Sequence, residues 1–289
     1  MDSNQFMNNQ YMQPAPEPQK KGFGKGTFLI IGLTIGVVFT CLLMAVVMTM
    51  NSKKAPAKIE GAGYDSAEEA VEAYVNFLKE ENFEGIISTF AMESYLENYD
   101  MSEYFEYVQY FNIYAPTGGL STTGFYSDSD FARELTMESR RAYILGGVNR
   151  QLLQVMAQNT DEEDIARDIV EGNTISQGDE MDSDAIMNFL GTDLKLDSIE
   201  IGHFRDDKYY DVPSDSIKNY LKHYKKMWGS DIESVCLEIE IDGEDYTLFM
   251  LCVCYDDRWY IADFNNPITL SLGISPGGKG LVPEEYLEY

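Results

Sequence analysis

The sequence has few of the residues that catalysis, metal binding and nucleic-acid binding usually require. Its 289 residues include four cysteines and two histidines, and 21 lysines and arginines stand against 49 aspartates and glutamates. Because that excess of negative charge repels phosphate groups, we expect no nucleic-acid partner. The cysteines lack the paired spacing of a zinc site or a disulfide framework, so Cys236, Cys252 and Cys254 are expected to be small buried side chains. No motif predicts a metal site or a cofactor.

Negative charge is concentrated after the first 58 residues. Residues 1–58 carry six lysines against Asp2 and Glu17, whereas the remainder carries 15 basic and 47 acidic residues, a formal net charge of −32. No charged residue lies between Gly26 and Ser52, and residues 27–49 are mostly apolar. A helix of that length spans roughly 35 Å, enough to cross a hydrocarbon core of about 30 Å. The sequence therefore predicts one transmembrane helix within residues 27–50, with residues 27–49 in contact with the lipid bilayer.

The flanks of this apolar run predict the topology. A cleaved signal peptide is the alternative, but its apolar core is shorter, and here a polar tail precedes the run. Three lysines on each side cancel the usual positive-inside bias, so the orientation rests on the tail. Residues 1–26 are polar and rich in Asn, Gln, Pro and Gly, which predicts a disordered cytoplasmic tail and an extracellular C-terminal domain. Gly32 and Gly36 lie one turn apart and would let two such helices form a homodimer, although glycine is also common in membrane helices generally.

Residues 51–63 are predicted to be a linker, and residues 64–196 a mainly helical region. Ser66-x-x-Glu69 has the pattern of a helix-capping box, and apolar residues follow it at helical spacing. A long helix is predicted from Asp130 to Met156, with one apolar stripe. The residues expected on that stripe are Phe131, Leu135, Ala142, Leu145, Leu152 and Met156.

Residues 197–289 predict strands around one further helix. Apolar and polar residues alternate from 199 to 203, and an amphipathic helix follows from Ser214. The runs 235–241 and 246–255 flank Asp242-Gly243, a typical hairpin turn. Across it Leu237, Ile239 and Ile241 are expected to face Leu248 and Met250, with both strands burying the same side, and a third strand is expected over 259–264. The Gly- and Pro-rich end, from residue 265 on, is expected to run over the surface. The predicted fold class is therefore α+β, a helix-rich first half packed with a C-terminal antiparallel sheet, preceded by one transmembrane helix.

Two parts of the domain carry a family resemblance: an opening Ala-Glu-Glu-Ala-Val helix at 67–71, and closing strands at 235–264 that contain Trp259 and Asp263. Together they resemble the nuclear-transport-factor-2-like superfamily, which implies a cone-like arrangement of helices and sheet. A polar tail, Lys-Lys-Gly and one membrane helix before such a domain look like many Gram-positive single-pass membrane proteins. This resemblance implies a domain outside a bacterial cell. Many domains of this kind have no assigned function, so it implies no particular chemistry.

Four lysines of the helix that starts at Ser214 form the first candidate site. Lys218, Lys222, Lys225 and Lys226 would lie on one exposed strip once the apolar face of that helix is buried. Such a strip would dock on an anionic cell-envelope polymer, on a protein partner or on the acidic surface of the domain itself. The ordinary alternative is a solvated helix face.

A tyrosine-rich segment forms the second candidate site. Between residues 95 and 114 the aromatic side chains cover more than one helix face, so some are exposed or meet a partner. The alternative is that they pack against the long helix. The residues proposed to contribute to binding are Tyr104, Tyr107, Tyr110 and Tyr114.

An enzyme is the competing hypothesis, in which His203 acts as a general base in a cone-shaped pocket, paired with a carboxylate such as Asp263. The stretch Gly273-Ile274-Ser275-Pro276-Gly277 matches a nucleophile elbow only as text, because Pro276 has no N–H to offer an oxyanion. We therefore expect a loop there and no catalytic centre. The preferred interpretation is a membrane-anchored extracellular binding module of unknown ligand, and the alternative is a small-molecule enzyme.

Overall fold

Helices lead to an antiparallel sheet in the computed structural model, which describes residues 58–108, 129–160, 183–205, 214–264, 266–272, 274 and 276–287. These residues all belong to one of the two units into which the chain divides, residues 57–289. The predicted tail, the predicted transmembrane helix with Gly32 and Gly36, and residues 51–57 lie outside the described residues. Among the helices that are described, none is both long and apolar enough to cross a membrane.

The described residues form eight α-helices and five β-strands. The described helices are α1 (Ala67–Lys79), α2 (Phe83–Ser88), α3 (Glu93–Asn98), α4 (Met101–Val108), α5 (Asp130–Gln158), α6 (Ser183–Leu190), α7 (Ser214–Trp228) and α8 (Pro267–Ser271). The described strands are β1 (Glu200–Arg205), β2 (Ile232–Ile241), β3 (Glu244–Tyr255), β4 (Arg258–Asp263) and β5 (Leu281–Pro283). Helices and an antiparallel sheet make the domain α+β, as predicted.

Helix α1 begins where the capping pattern places it. The side chain of Ser66 accepts a hydrogen bond from the Glu69 backbone N–H at 3.1 Å, and Glu69 Oε2 accepts one from the Asp65 N–H at 3.1 Å. Both bonds satisfy backbone donors at the start of the helix. The apolar face of α1 packs on the sheet, where Val71 and Tyr74 are fully buried.

Helix α5 forms as predicted, but the predicted apolar stripe is wrong at Phe131, Leu135 and Ala142, whereas Met156 on that stripe is buried. Phe131 and Leu135 are 74% and 42% exposed. The buried face mixes apolar and polar residues: Ala132, Thr136, Met137, Arg140, Ile144, Gly147, Val148, Gln151, Gln154, Val155 and Met156. Gly147 is required on this face because a Cβ there would lie 2.1 Å from the Phe264 ring. The pattern of apolar residues did not predict the buried face of α5, because that face carries polar side chains. Their burial is understood only from the residues that they contact in the tertiary structure.

The β2–β3 hairpin has the predicted turn and the predicted register. Asp242 and Gly243 have φ angles of 55° and 86°, as a type I′ turn requires. Leu237 lies opposite Leu248, and both are buried on the same face of the sheet. The strand order is β1-β2-β3-β4 with antiparallel neighbours, and β5 pairs with the first half of β3.

Both faces of β3 are covered by helices. Leu248 and Met250 pack with residues of α1 and α5, whereas Leu251 and Val253 pack with residues of α3 and α7. The sheet is therefore the middle of three layers. Among the cysteines, Cys236 and Cys252 are buried as predicted, Cys254 is half-buried, and all three are thiols outside any disulfide.

The C-terminal end does not run over the surface, and that prediction is wrong. Ile268 of α8 is fully buried, and Leu281 and Val282 of β5 are buried against β3. Gly280 makes this pairing possible, because its φ of 84° brings its backbone so close to the Phe249 carbonyl that a Cβ would lie 2.2 Å from that oxygen. A Gly- and Pro-rich composition therefore marks sharp turns between buried segments here, and not an exposed coil.

Candidate binding face

The four lysines of α7 lie on one exposed face, as their spacing predicts. The opposite face of the helix is anchored in the fold, since Ile217, Met227 and Trp228 are 3%, 3% and 1% exposed. The side chains of the lysines point to solvent along the remaining face. We call this surface the lysine face; its members are Lys218, Lys222, Lys225 and Lys226.

Carboxylates near the end of α7 offset half of the lysine face. Lys225 Nζ pairs with the Asp231 carboxylate, and Lys226 Nζ lies 3.1 Å from Glu103 Oε2. Among the described residues, no carboxylate lies within ion-pair distance of Lys218 or Lys222. Of the four lysines, Lys218 and Lys222 are therefore the two whose charge no described carboxylate pairs with, and they lie four positions apart on one helix face.

Helix α4 brings the tyrosine-rich segment next to the lysine face. Asp100 N–H donates to the Met227 carbonyl at 2.6 Å, which ties the start of α4 to the end of α7. The Asp100 carboxylate in turn accepts bonds from the Ser102 hydroxyl and from the Glu103 backbone N–H, and these bonds lower the pKa of Asp100. The two surfaces that the sequence offers as separate candidates thus lie on neighbouring helices.

Tyr104 is half-buried and belongs to an aromatic cluster. Its ring centre lies 6.4 Å from that of Tyr99, which lies 5.3 Å from Tyr95. Tyr95 in turn lies 5.5 Å from Trp228, and Trp228 lies 5.0 Å from Tyr224. The alternative, packing of this segment on the long helix, is correct for Tyr95, which is 1% exposed. The side chains of Tyr107, Tyr110 and Tyr114 lie outside the described residues.

Arg140 on α5 is the buried partner of this cluster, and sequence reasoning missed it. Its guanidinium is fully buried and lies 3.8 Å from the centre of the Tyr95 ring. Nε donates to the Ala91 carbonyl at 2.6 Å and Nη2 to the Ala262 carbonyl at 3.0 Å. The spacing of the sequence does place Arg140 on the buried face, since it lies four and eight residues before Ile144 and Val148. This spacing identifies Arg140 as buried only when the packed face of α5 is already known.

The pairing of His203 with Asp263 is wrong. His203 lies exposed on β1, and Asp263 lies on β4, with β2 and β3 between them. Asp263 Oδ1 instead accepts a hydrogen bond from the Tyr143 hydroxyl at 2.7 Å. Burial and the neighbouring Asp263 carboxylate raise the pKa of Tyr143 well above its ordinary value. This carboxylate is satisfied by a structural hydrogen bond from α5.

The space between α1, α5 and the sheet is filled with side chains. The cavity there has a volume of about 10 Å³ and is lined by residues such as Tyr74, Gln151 and Leu248. A cavity of that size holds at most about one water molecule. The interior that the family resemblance suggests as a pocket is therefore packed core.

Carboxylates line a shallow groove formed by β1, β2 and the start of β3. The groove has a volume of about 260 Å³. Glu200 lies opposite Glu240, and Glu240 lies opposite Asp245, so three carboxylates stand in a row across three strands. Like charges that stand directly opposite each other on neighbouring strands repel each other, which destabilises the sheet slightly. In the same groove Arg205 bridges Glu238 and Glu284, which offsets part of the repulsion.

Comparison with known proteins gives a weak structural similarity and no family. No protein-family model matches the sequence, and no curated protein matches it either. A crystal structure of a cystatin-like protein from Ruminococcus gnavus is similar with a TM-score of 0.42 and 11% sequence identity, over 68% of this chain. The similarity spans 39% of that protein, well under two thirds of its length. A likeness at this level carries nothing about binding or activity.

Proposed function

We propose that this chain is a membrane-anchored binding module at a bacterial cell surface. Residues 27–49 would cross the membrane, residues 1–26 would form a cytoplasmic tail, and the acidic domain would lie outside and contact an anionic envelope polymer. The observation that carries the proposal is the pair Lys218 and Lys222. Both are exposed, and neither has an ion-pair partner among the described residues.

Charge and tethering explain how such a contact would work on an acidic domain. A charge acts over only about 8 Å at physiological salt, so two adjacent lysines attract a polyanion locally even though the domain as a whole repels it. That attraction is weak. A membrane anchor holds the domain near the envelope and raises its effective concentration there, which favours a weak binder. The filled core supports a surface contact over an enclosed substrate pocket.

Paired variants test the contact. The full chain in nanodiscs of neutral lipid is titrated with purified poly(glycerol phosphate) as the anionic probe. The double variant Lys218→Gln/Lys222→Gln should weaken binding roughly tenfold, and rising salt should weaken the parent protein similarly. The matched control is Lys225→Gln/Lys226→Gln, which removes two lysines already offset by Asp231 and Glu103 and should have the smaller effect.

Two results would overturn this contact. Binding that survives both the first double variant and high salt would leave the lysine face as a solvated surface, and Tyr104 on α4 would then be tested next. Equal losses in both double variants would mean that total charge matters and that the unpaired lysines have no special role.

Topology is tested separately. Cys254 is replaced by alanine, whereas Cys236 and Cys252 are buried and shielded from reagent. A cysteine at the exposed position Tyr286 should react with a membrane-impermeant maleimide on intact cells. A cysteine at Ser3 should react only after the cells are permeabilised. The reverse pattern would place the acidic domain in the cytoplasm.

A further inference from the structure

Residues 58–65, which we call the strap, enter the domain before α1 and are bonded to it along their length. Residues 58–63 are predicted to be linker, so this attachment is a difference from the sequence-based expectation. Gly61 N–H donates to the Ser88 carbonyl at 3.0 Å. Tyr64 and Trp259 exchange two backbone hydrogen bonds of 3.0 and 2.9 Å at the edge of β4. The strap therefore runs from the first described residue of the domain to β4, the last strand in the order β1-β2-β3-β4.

Two glutamates bond the strap to α3 reciprocally, and we call this pair of carboxylates the clamp. The Glu93 carboxylate accepts the backbone N–H groups of Ile59 and Glu60, at 2.8 and 3.0 Å. The Glu60 carboxylate accepts the backbone N–H groups of Met92 and Ser94, at 2.8 and 2.9 Å, and the Ser94 hydroxyl at 2.7 Å. Each side of the contact thus supplies an anion to the backbone donors of the other.

Burial makes the clamp strong and specific. The Glu60 side chain has no solvent exposure, and Lys58 Nζ lies 3.0 Å from it. A buried carboxylate is tolerated only when hydrogen bonds replace its water, and bonds to an ionised acceptor are about twice as strong as neutral ones. Replacing either carboxylate by an amide therefore weakens several bonds at once and leaves the shape of the side chain almost unchanged.

The strap differs from the rest of the domain in what holds it. Its apolar side chains, Ile59 and Tyr64, are only partly buried at the margin of the main core. The β2–β3 hairpin, by contrast, has fully buried apolar residues on both faces, such as Leu237 and Phe249. Polar bonds thus hold the strap, and apolar packing holds the sheet. The first set can open while the second stays intact.

We propose that the strap can detach from the domain while the sheet stays folded. We call the attached state the lock, because it holds the chain that enters the domain. When the clamp is closed, the domain begins at residue 58. When the clamp opens together with the backbone bonds of Gly61 and Tyr64 and the bonds that Arg258 donates to the Ala62 and Gly63 carbonyls, eight residues are released. The free chain before α1 then gains up to about 28 Å. The lock holds whether or not the lysine face binds an envelope polymer. If residues 27–49 are anchored in a membrane, the released residues add to the length of chain between that anchor and α1.

Hydrogen exchange of the full chain in nanodiscs tests the lock. Glu93→Gln and Glu60→Gln should each speed amide exchange in the strap by roughly tenfold or more, because charge-assisted bonds are lost. Exchange in β3 should not change. The matched control is Glu97→Gln on the same helix, where an exposed carboxylate pairs with Arg133 at 2.7 Å; it should leave strap exchange as in the parent. Unchanged strap exchange in Glu93→Gln overturns the lock, and so does an equal rise in β3.

Force spectroscopy gives an independent measurement. Handles are attached to cysteines introduced at Lys54 and Tyr286, and the chain is pulled until the domain unfolds. The parent should release a first step of eight residues, up to about 28 Å, before the main unfolding event. Glu93→Gln should lose that step or show it at lower force. A single unfolding event in the parent, with no early step, would mean that the strap is an inseparable part of the fold.

Discussion

The guanidinium of Arg140 lies over the ring of Tyr95, with its carbon 3.8 Å from the ring centre, and both side chains are buried. The same guanidinium donates to carbonyl oxygens before α3 and at the end of β4. One side chain of α5 therefore joins three elements that are distant in sequence. Tyr95 continues the contact to Trp228, the last residue of α7, so Arg140 also supports the end of the helix that carries the lysine face.

Loss of Arg140 should destabilise the domain severely. Arg140→Met keeps much of the volume but leaves the carbonyls of Ala91 and Ala262 without these donors, so the free energy of unfolding should fall by about 3–5 kcal/mol. Urea denaturation measures this. Arg133→Gln on the same helix breaks an exposed ion pair with Glu97 and should cost at most about 1 kcal/mol. Similar losses in the two variants would contradict the role given to Arg140.

The hairpin register predicts a large contrast between two adjacent residues. Ile239 is 3% exposed, so Ile239→Ala should lower the free energy of unfolding by about 2–5 kcal/mol. Glu240→Ala should leave it unchanged or raise it, because Glu240 stands between Glu200 and Asp245 across the sheet. Chemical denaturation of both variants checks the contrast. Equal effects would mean that the side chains of β2 point the other way.

Two buried tyrosines should respond in opposite directions to loss of the hydroxyl. The Tyr246 hydroxyl is buried and has no hydrogen-bond partner among the described residues, so Tyr246→Phe should stabilise the domain by about 1 kcal/mol. The Tyr74 hydroxyl donates to Gln151 Oε1 at 2.5 Å, so Tyr74→Phe should cost about 1–3 kcal/mol. Thermal and urea denaturation at neutral pH measure both. A destabilised Tyr246→Phe would reveal a partner for that hydroxyl.

Alkaline pH should unfold the domain through its tyrosines. Burial raises the pKa of Tyr74, Tyr246 and Tyr255 above the ordinary value of about 10. In the unfolded chain these groups release protons near pH 10, whereas in the fold they do not. Their contribution to stability is therefore complete below about pH 10 and falls by about 1.4 kcal/mol per pH unit for each tyrosine above it.

Urea denaturation across this range, with tyrosinate absorbance recorded in parallel, measures the effect. Ionisation of the buried tyrosines should coincide with unfolding, and Tyr246→Phe should reduce the slope by one tyrosine. Ionisation of all tyrosines in the folded state would contradict the burial of these hydroxyls.

Local patterns were enough for the parts of the fold whose partners are close in sequence. The cap at Ser66 and Glu69, and the turn at Asp242 and Gly243, are each set by a few neighbouring residues. Alternation along β2 and β3 then fixed which side chains point the same way, because the period of a strand is two residues. For the same reason the exposed position of Lys218 and its neighbours follows from the apolar face of α7.

The sequence by itself thus determined the α+β class, the hairpin with its register and the polarity of α7. Only the tertiary structure decided which face of α5 is buried, because both faces carry apolar residues and the buried one holds Arg140, Gly147 and polar groups. The tertiary structure also turned the glycine-rich end into a buried strand and separated His203 from Asp263 by two strands. It bonded residues predicted as linker to α3 through Glu60 and Glu93. Each of these features depends on partners far away in the chain, and no short-range period or turn motif records such partners.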